Sequence, residues 1–91
     1  MKSLVIIGRK WFDKVNGNTY YTSEIIIDGE IKHKTEMQYG YDDAYIQTAK
    51  QWLIDNGYIV DAGNVCGLWS YCKENNIDFV SRSFYGLKRE L

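Results

Sequence analysis

Residues 3–37 read SLVIIGRKWFDKVNGNTYYTSEIIIDGEIKHKTEM and contain two glycine turns, Asn16-Gly17 and Asp28-Gly29. Asn-Gly and Asp-Gly readily adopt the positive φ angles of a type I′ turn, whose twist matches that of the strands it joins. β-Branched and aromatic residues are concentrated on both sides of each turn, as is typical of strands. The segment therefore predicts a three-stranded antiparallel meander.

The residues that follow Gly40 change to helical spacing. Asp42 and Asp43 are suited to cap a helix, and Gly57 is suited to end it. The apolar positions of this first helix are Tyr45, Ile46, Ala49, Trp52 and Leu53. A period of three to four residues predicts a helix that buries one face.

A second helix and a last strand complete the prediction. Asn64 is placed to cap the second helix, which ends near residues 75–76. Its stripe consists of Val65, Leu68, Trp69 and Cys72. Residues 77–87 are rich in aromatic and β-branched side chains and predict a strand. We therefore expect an α+β fold with the order βββααβ, formed by residues 1–91 as a single domain.

Composition limits the class of protein. Hydrophobic residues make up 45% of the chain, charged residues 25%, and the formal net charge is −1. These values are typical of globular domains rather than of disordered or membrane proteins. The apolar run at residues 4–7 is too short to cross a bilayer. We therefore expect a cytoplasmic protein, without membrane contact, whose contacts with nucleic acid would have to be local.

The sequence shows no recognisable catalytic or cofactor motif. A phosphate-binding glycine loop and a nucleophile elbow are absent from the sequence. Two cysteines, Cys66 and Cys72, with the single His33 give too few ligands for a zinc site. We therefore expect no metal, no cofactor and no enzymatic activity.

Two-residue turns would fix the register of the meander, with Val15 opposite Asn18. Counting outward places Arg9, Glu24 and His33 in one row across the sheet. A carboxylate, an imidazole and a guanidinium together resemble the acid-base site of small microbial ribonucleases, although a helix precedes the sheet in those enzymes. The alternative is a ladder of opposite charges.

The same register gathers Lys10, Lys32 and Lys34 on one face, which suggests a nucleic-acid-binding module as an alternative function. The order of three strands and a helix resembles the double-stranded-RNA-binding domain. That family grips phosphate with a basic helix start, whereas this chain has Asp42 and Asp43 there. The acidic pair argues against that mode of binding.

The loop between the meander and the first helix is the most promising contact site in the sequence. It joins Tyr39 and Tyr41 to Asp42 and Asp43 through a glycine, in a chain with eight tyrosines. Tyrosine supplies contact area together with a hydroxyl, and aspartate can meet a basic partner. The alternative is structural, with the tyrosines covering the core and the aspartates capping the helix.

Residues 11–20, 39–41 and 88–91, which read WFDKVNGNTY, YGY and KREL, resemble small proteins encoded by bacteriophages and mobile elements. The resemblance implies a phage origin, and anti-CRISPR proteins are the best-known inhibitors of this size class. It leads to the hypothesis of a non-enzymatic protein that binds and blocks a host protein in the host cytoplasm, such as a CRISPR-type defence effector that handles nucleic acid.

The candidate partner-binding residues share exposed aromatic or charged side chains in the predicted meander and loop. They are Arg9, Trp11, Glu24, His33, Tyr39, Tyr41, Asp42 and Asp43. A second copy of the chain is a further candidate partner, because an unpaired sheet edge can bind another strand.

Overall fold

The computed structural model describes residues 1–59 and 67–91, which form an α+β fold with a mixed sheet. The strands are β1 (Ser3–Asp13), β2 (Asn18–Ile27), β3 (Glu30–Lys34), β4 (Gln38–Tyr39) and β5 (Asp78–Tyr85). The helices are α1 (Ala44–Asp55) and α2 (Gly67–Glu74), and a short 3-10 helix covers Lys88–Glu90. The predicted order of meander, two helices and final strand is confirmed.

The strands lie in the order β3-β2-β1-β5, and β4 pairs with β2 as well. β1 is antiparallel to β2 and parallel to β5, so the last strand of the chain joins the first one rather than extending the meander. A parallel pair requires a long crossover connection, which the helical part of the chain supplies. β1 is therefore an interior strand.

Both helices pack on the same face of the sheet. β1 alternates, with Leu4 and Ile6 fully buried and their odd-numbered neighbours only partly so. The core joins these side chains to β2, β5, α1 and α2, and it consists of Leu4, Ile6, Tyr21, Ile25, Ile27, Tyr45, Ala49, Leu53, Ile59, Leu68, Cys72 and Phe79. Successive residues of a strand point to opposite faces, so the other face of the sheet is left to the odd-numbered residues of β1.

The predicted register of the first hairpin is wrong by two residues. Asn18 lies opposite Asp13, not Val15, because the loop has four residues, 14–17. The carboxylate of Asp13 accepts hydrogen bonds from the backbone N–H groups of Val15 and Asn16, and the N–H of Gly17 donates to the Asp13 carbonyl at 2.8 Å. Because the error is an even number, each side chain still lies on the face that the pattern predicted.

The second hairpin begins as predicted and then departs from it. Glu30 lies opposite Ile27, but the register shifts between Ile25 and Ile26, so that His33 pairs with Ile25. The shift is a β-bulge, which places the next side chain on the opposite face. The third strand, predicted to continue to residue 37, ends at Lys34, and β4 resumes the pairing with β2 two residues after Glu36.

The helices agree with the predicted positions but not with every predicted contact. Asp43 occupies the N-cap of α1 without a side-chain capping bond, whereas Gly57 ends the helix with φ of +77° as predicted. In α2, Trp69 is 61% exposed and does not join the buried stripe. The predicted cap Asn64 and stripe residue Val65 lie outside the described residues, as does Cys66. Over 1–59 and 67–91, no helix has the length and apolarity needed to cross a bilayer.

Candidate binding face

The face of the sheet opposite the helices is called the open face here. It is formed by side chains that lie opposite one another across β5, β1, β2 and β3 or β4. The members are Val5, Ile7, Arg9, Trp11, Tyr20, Thr22, Glu24, Ile26, Ile31, Lys34, Tyr39, Val80, Arg82 and Phe84. Within the described residues, neither α1 nor α2 packs on it, because the core side chains of both helices contact the other face.

Four rings form a continuous aromatic cluster at one end of the open face. Trp11 stacks on Tyr20 with ring centroids 5.7 Å apart, and Tyr20 meets Tyr39 edge to face at 5.9 Å. Tyr39 meets Tyr41 edge to face at 5.3 Å, and their hydroxyls are hydrogen-bonded at 2.6 Å. Tyr39 and Tyr41 are 55% and 50% exposed. The cluster therefore presents ring edges and hydroxyls to solvent.

The hydroxyl pair also affects acid-base behaviour. The hydrogen bond to Tyr41 raises the pKa of Tyr39 above its ordinary value of 10.0. The Tyr39 hydroxyl is therefore protonated over the physiological range, and one hydroxyl of the pair donates to the other. At the other end of the cluster, the ammonium group of Lys88 lies 5.3 Å from the centroid of the Trp11 ring.

Cations occupy the middle of the open face. Arg9 Nε lies 3.8 Å from Glu24 Oε2, and that is its only ion pair among the described residues. Arg82 lies across from Ile7 on β5, and Lys34 lies opposite Glu24 on β3. The middle rows thus hold three basic side chains and one carboxylate, which is itself only 15% exposed. The middle of this face is positive although the whole chain carries a net charge of −1.

A buried hydroxyl lies between the cations and the rings. Thr22 is opposite Arg9, is only 3% exposed, and its Oγ1 has no hydrogen-bond partner within the described part of the chain. Unpaired buried hydroxyls are costly and uncommon in native proteins. Because this oxygen is buried, Thr22 belongs to the packed part of the open face rather than to its contact surface.

The far end of the open face is aliphatic. Val80, Val5, Ile26 and Ile31 lie side by side across four strands. Ile31 and Val80 are 62% and 41% exposed. The open face therefore has an apolar row at one end, an aromatic cluster at the other end and basic side chains between them.

The predicted row of Arg9, Glu24 and His33 is wrong. The bulge in β3 places His33 opposite the buried Ile25, on the helix face, where its ring stacks on Trp52 at 5.0 Å and 7°. Glu24 lies on the open face, opposite Lys34. A general base and a general acid on opposite sides of a sheet cannot act on one substrate, so the ribonuclease-like site is not formed.

The predicted grouping of Lys10, Lys32 and Lys34 is also wrong. Lys10 is only 7% exposed on the helix face, and its ammonium group donates to the carbonyl of Asp42 at 2.9 Å. It also lies 5.3 Å and 5.5 Å from the ring centroids of Tyr45 and Tyr85. Lys10 therefore anchors the loop before α1 and cannot reach a phosphate backbone.

The structure brings five of the eight predicted contact residues together: Arg9, Trp11, Glu24, Tyr39 and Tyr41. His33 lies on the other face, while Asp42 and Asp43 are exposed at the start of α1. Sequence reasoning missed Tyr20, which the incorrect register had placed beside Asp13 instead of Trp11. It also missed Arg82 and Phe84, because nothing in their local pattern shows that β5 pairs with β1.

No group of three or more histidine, cysteine or acidic side chains within 1–59 and 67–91 could hold a metal ion. The chain matches no protein-family model, and no curated protein and no solved structure is similar to it at a significant level. Its function must therefore be argued from the geometry of the open face.

Proposed function

We propose that this chain is a non-enzymatic binding protein that docks the open face of its sheet onto a partner protein. The observation that carries the proposal is a sheet face with an aromatic cluster on which neither α1 nor α2 packs, although the C-terminal 3-10 helix contacts β1 and places Lys88 over Trp11. Tyrosine, tryptophan and arginine are the residues in which interface energy is concentrated, and this face carries Arg9, Trp11 and, joined to Trp11 through Tyr20, Tyr39.

The charges of the open face favour an acidic partner. The middle rows of this face hold Arg9, Arg82 and Lys34 with a single carboxylate, so an approaching acidic surface is attracted and a basic one is repelled. A carboxylate of the partner can pair with the guanidinium of Arg9, whose side chain is 40% exposed. The acidic character of the remaining surface helps to orient the protein on approach.

The apolar row favours a protein over a nucleic acid. Val5, Ile26, Ile31 and Val80 offer neither a flat ring for base stacking nor a donor for phosphate. In the aromatic cluster, Tyr20 and Tyr39 meet edge to face, and Lys88 lies over Trp11. Aliphatic side chains of a partner protein can fill both regions by ordinary packing.

In the cell, the chain would act as a phage or mobile-element protein that binds and blocks a host protein, such as a defence effector that handles nucleic acid. It is supported by the sequence resemblance described above, and residues 1–59 and 67–91 bring together no catalytic constellation. A bacterial strain with an active CRISPR-type system provides the test. Expression of the chain is expected to reduce plasmid clearance, and unchanged clearance would contradict the occlusion of that effector.

Photo-cross-linking tests the docking face directly. A photoreactive amino acid is placed at Ile31 or Tyr39 on the open face, and at Gln47, which is exposed on α1, as the matched control. We expect the two open-face positions to capture one common protein, in a reaction that unlabelled wild-type protein competes for and that Arg9→Glu weakens. Capture from Gln47 alone would refute the proposal, and capture of nuclease-sensitive material would assign the face to nucleic acid.

A further inference from the structure

Within the described residues, β5 forms one edge of the sheet, and it lacks the features that protect the β3 edge from pairing with another chain. β3, at the opposite edge, has five residues, carries Glu30 and Lys34, and is interrupted by a bulge. Short, charged and bulged edges are the usual protection against pairing with another chain. β5 has eight residues and no bulge, and its charged side chains are Asp78 and Arg82. Among the described residues, no strand pairs with its outer side.

The backbone pattern shows which groups of β5 point outward. The N–H groups of Asp78 and Gly86 donate to the carbonyls of Lys2 and Lys10, at 3.0 and 2.9 Å. The N–H and C=O of one residue point to the same side of a strand, and successive residues alternate. The outward backbone groups are therefore those of Phe79, Ser81, Ser83 and Tyr85. The carbonyl of Ser81 accepts only a 3.3 Å contact from the exposed guanidinium of Arg82.

The end of β5 is exposed on both faces. Phe84 is 52% exposed on the open face, and Tyr85 is 68% exposed on the helix face. α2 packs over the beginning of the strand, where Trp69 contacts Phe79. No other strand among residues 1–59 and 67–91 covers this edge, and apolar side chains on both sides of it favour a neighbour that supplies a strand together with its side chains.

We propose that this neighbour is β5 of a second copy, paired antiparallel about a two-fold axis through Ser83. In that register the outward N–H of Ser83 in each copy donates to the Ser83 carbonyl of the other copy. Ser81 of each copy lies opposite Tyr85 of the other. Arg82 of each copy lies opposite Phe84 of the other, a cation–ring pair that occurs twice. A register centred on Arg82 would instead oppose two guanidinium groups.

The consequence is one continuous sheet in which both open faces lie on the same side. A two-fold axis perpendicular to the sheet keeps each face with its equivalent, so the dimer presents two copies of the proposed docking face side by side. The dimer does not depend on the proposed function, because it uses the strand edge and leaves the aromatic cluster free. Failure of either proposal leaves the other standing.

The oligomeric state tests the inference. Sedimentation velocity over a wide range of protein concentration is expected to show a monomer–dimer equilibrium for the wild type. Ser83→Pro removes one outward N–H per copy without touching the bonds to β1, as proline allows on an edge strand. Two hydrogen bonds are lost per dimer, so the dissociation constant is expected to rise about tenfold or more. Ser83→Thr, which keeps the N–H, is the matched control.

Two further variants keep the inference falsifiable if the proline variant does not fold. Ser83→Glu opposes two carboxylates on the axis and is expected to give a monomer with an unchanged circular dichroism spectrum. In a Cys66→Ser background, Ser83→Cys is expected to form a disulfide-linked dimer more readily than Ser81→Cys, because residues facing each other on the axis are within bonding range. A wild type that stays monomeric, or a dimer unaffected by Ser83→Pro and Ser83→Glu, would overturn it.

Discussion

Gly8 lies in the middle of β1 because the ring of Tyr45 occupies the space a side chain would need. A Cβ at this position would lie 2.5 Å from the Tyr45 ring. We expect Gly8→Ala to lower the free energy of unfolding by about 1–3 kcal/mol, the usual cost of overpacking. Urea denaturation of the wild type and the variant measures this change in the free energy of unfolding. In a Tyr45→Ala background the added methyl has room, and an unchanged penalty there would show that the clash is not the cause.

Lys10 is the residue that links the interior of the sheet to the loop carrying Tyr41. Its ammonium group donates to the Asp42 carbonyl, and Asp42 has a φ of +49°. We expect Lys10→Met to lower the free energy of unfolding by about 1.5–3 kcal/mol, because a charged hydrogen bond is lost. Lys14→Met, in the exposed first turn, serves as the control and should change stability by less than about 0.5 kcal/mol. Equal effects would contradict the anchoring role.

At the scale of elements, the turn between β2 and β3 also fastens the start of β1. The carboxylate of Asp28 accepts the backbone N–H groups of Lys2 and Ser3, at 2.7 and 2.9 Å. These bonds hold the pKa of Asp28 below its ordinary value of 3.8, and the bond from Ser3 has the largest effect. Their contribution to the free energy of unfolding is therefore complete above the ordinary pKa of 3.8. It is lost as the pH falls through the lower pKa that Asp28 has in the folded state.

The comparison of wild type with Asp28→Asn tests this pH dependence. Asparagine also tolerates the positive φ of the turn, so the backbone strain is matched. We expect the wild type to be the more stable protein in urea denaturation at about pH 7, and the difference to shrink as the pH approaches about 2. A difference that is constant with pH would mean that the charge of Asp28 is not involved.

His33 belongs to the packing of α1 rather than to the open face. We expect His33→Ala to cost about 0.5–1.5 kcal/mol of stability through the lost stack on Trp52, and His33→Phe to recover most of it. Thermal denaturation followed by tryptophan fluorescence measures both. Capture of the partner by the open-face cross-linkers should be unaffected, and a loss in the stable His33→Phe variant would place the histidine in the interface.

The sequence patterns predicted elements well because local chemistry decides them. The two glycine turns, the helical period after Gly40 and the cap Gly57 each depend on neighbouring residues. Register was less predictable, since the side chain of Asp13 converts a two-residue turn into a four-residue loop. The bulge before His33 is not visible in the alternation either. One bulge was enough to separate Glu24 from His33.

At the scale of the whole molecule, the candidate site depends on a pairing between distant segments. The parallel register joins Ser3 to Asp78 and Arg9 to Phe84. No turn connects these strands, so no local pattern encodes their adjacency. Tyr39 and Tyr41 were selected from the local sequence of the loop before the first helix, whereas the contribution of β5 to the same surface required the tertiary structure.

Removal of β5 tests how far the molecule depends on that pairing. A chain ending at residue 76 leaves β1 as an edge and uncovers the side of the core that Phe79 closes. We expect it to lose cooperative thermal unfolding, measured by circular dichroism. A chain ending at residue 87 keeps β5 and loses only the 3-10 helix, and it should unfold cooperatively. A folded chain of 76 residues would show that β5 is dispensable.

The position of β1 has a consequence for synthesis. β1, an interior strand of the finished sheet, is translated before the other strands, and its parallel neighbour is translated after both described helices. In the interval, the hairpin of β1 and β2 has an unpaired backbone edge beside Leu4 and Ile6. The nascent chain is then most open to aggregation and to chaperone capture. Synonymous codons that slow translation between α1 and β5 should therefore lower the soluble yield of a protein whose amino-acid sequence is unchanged.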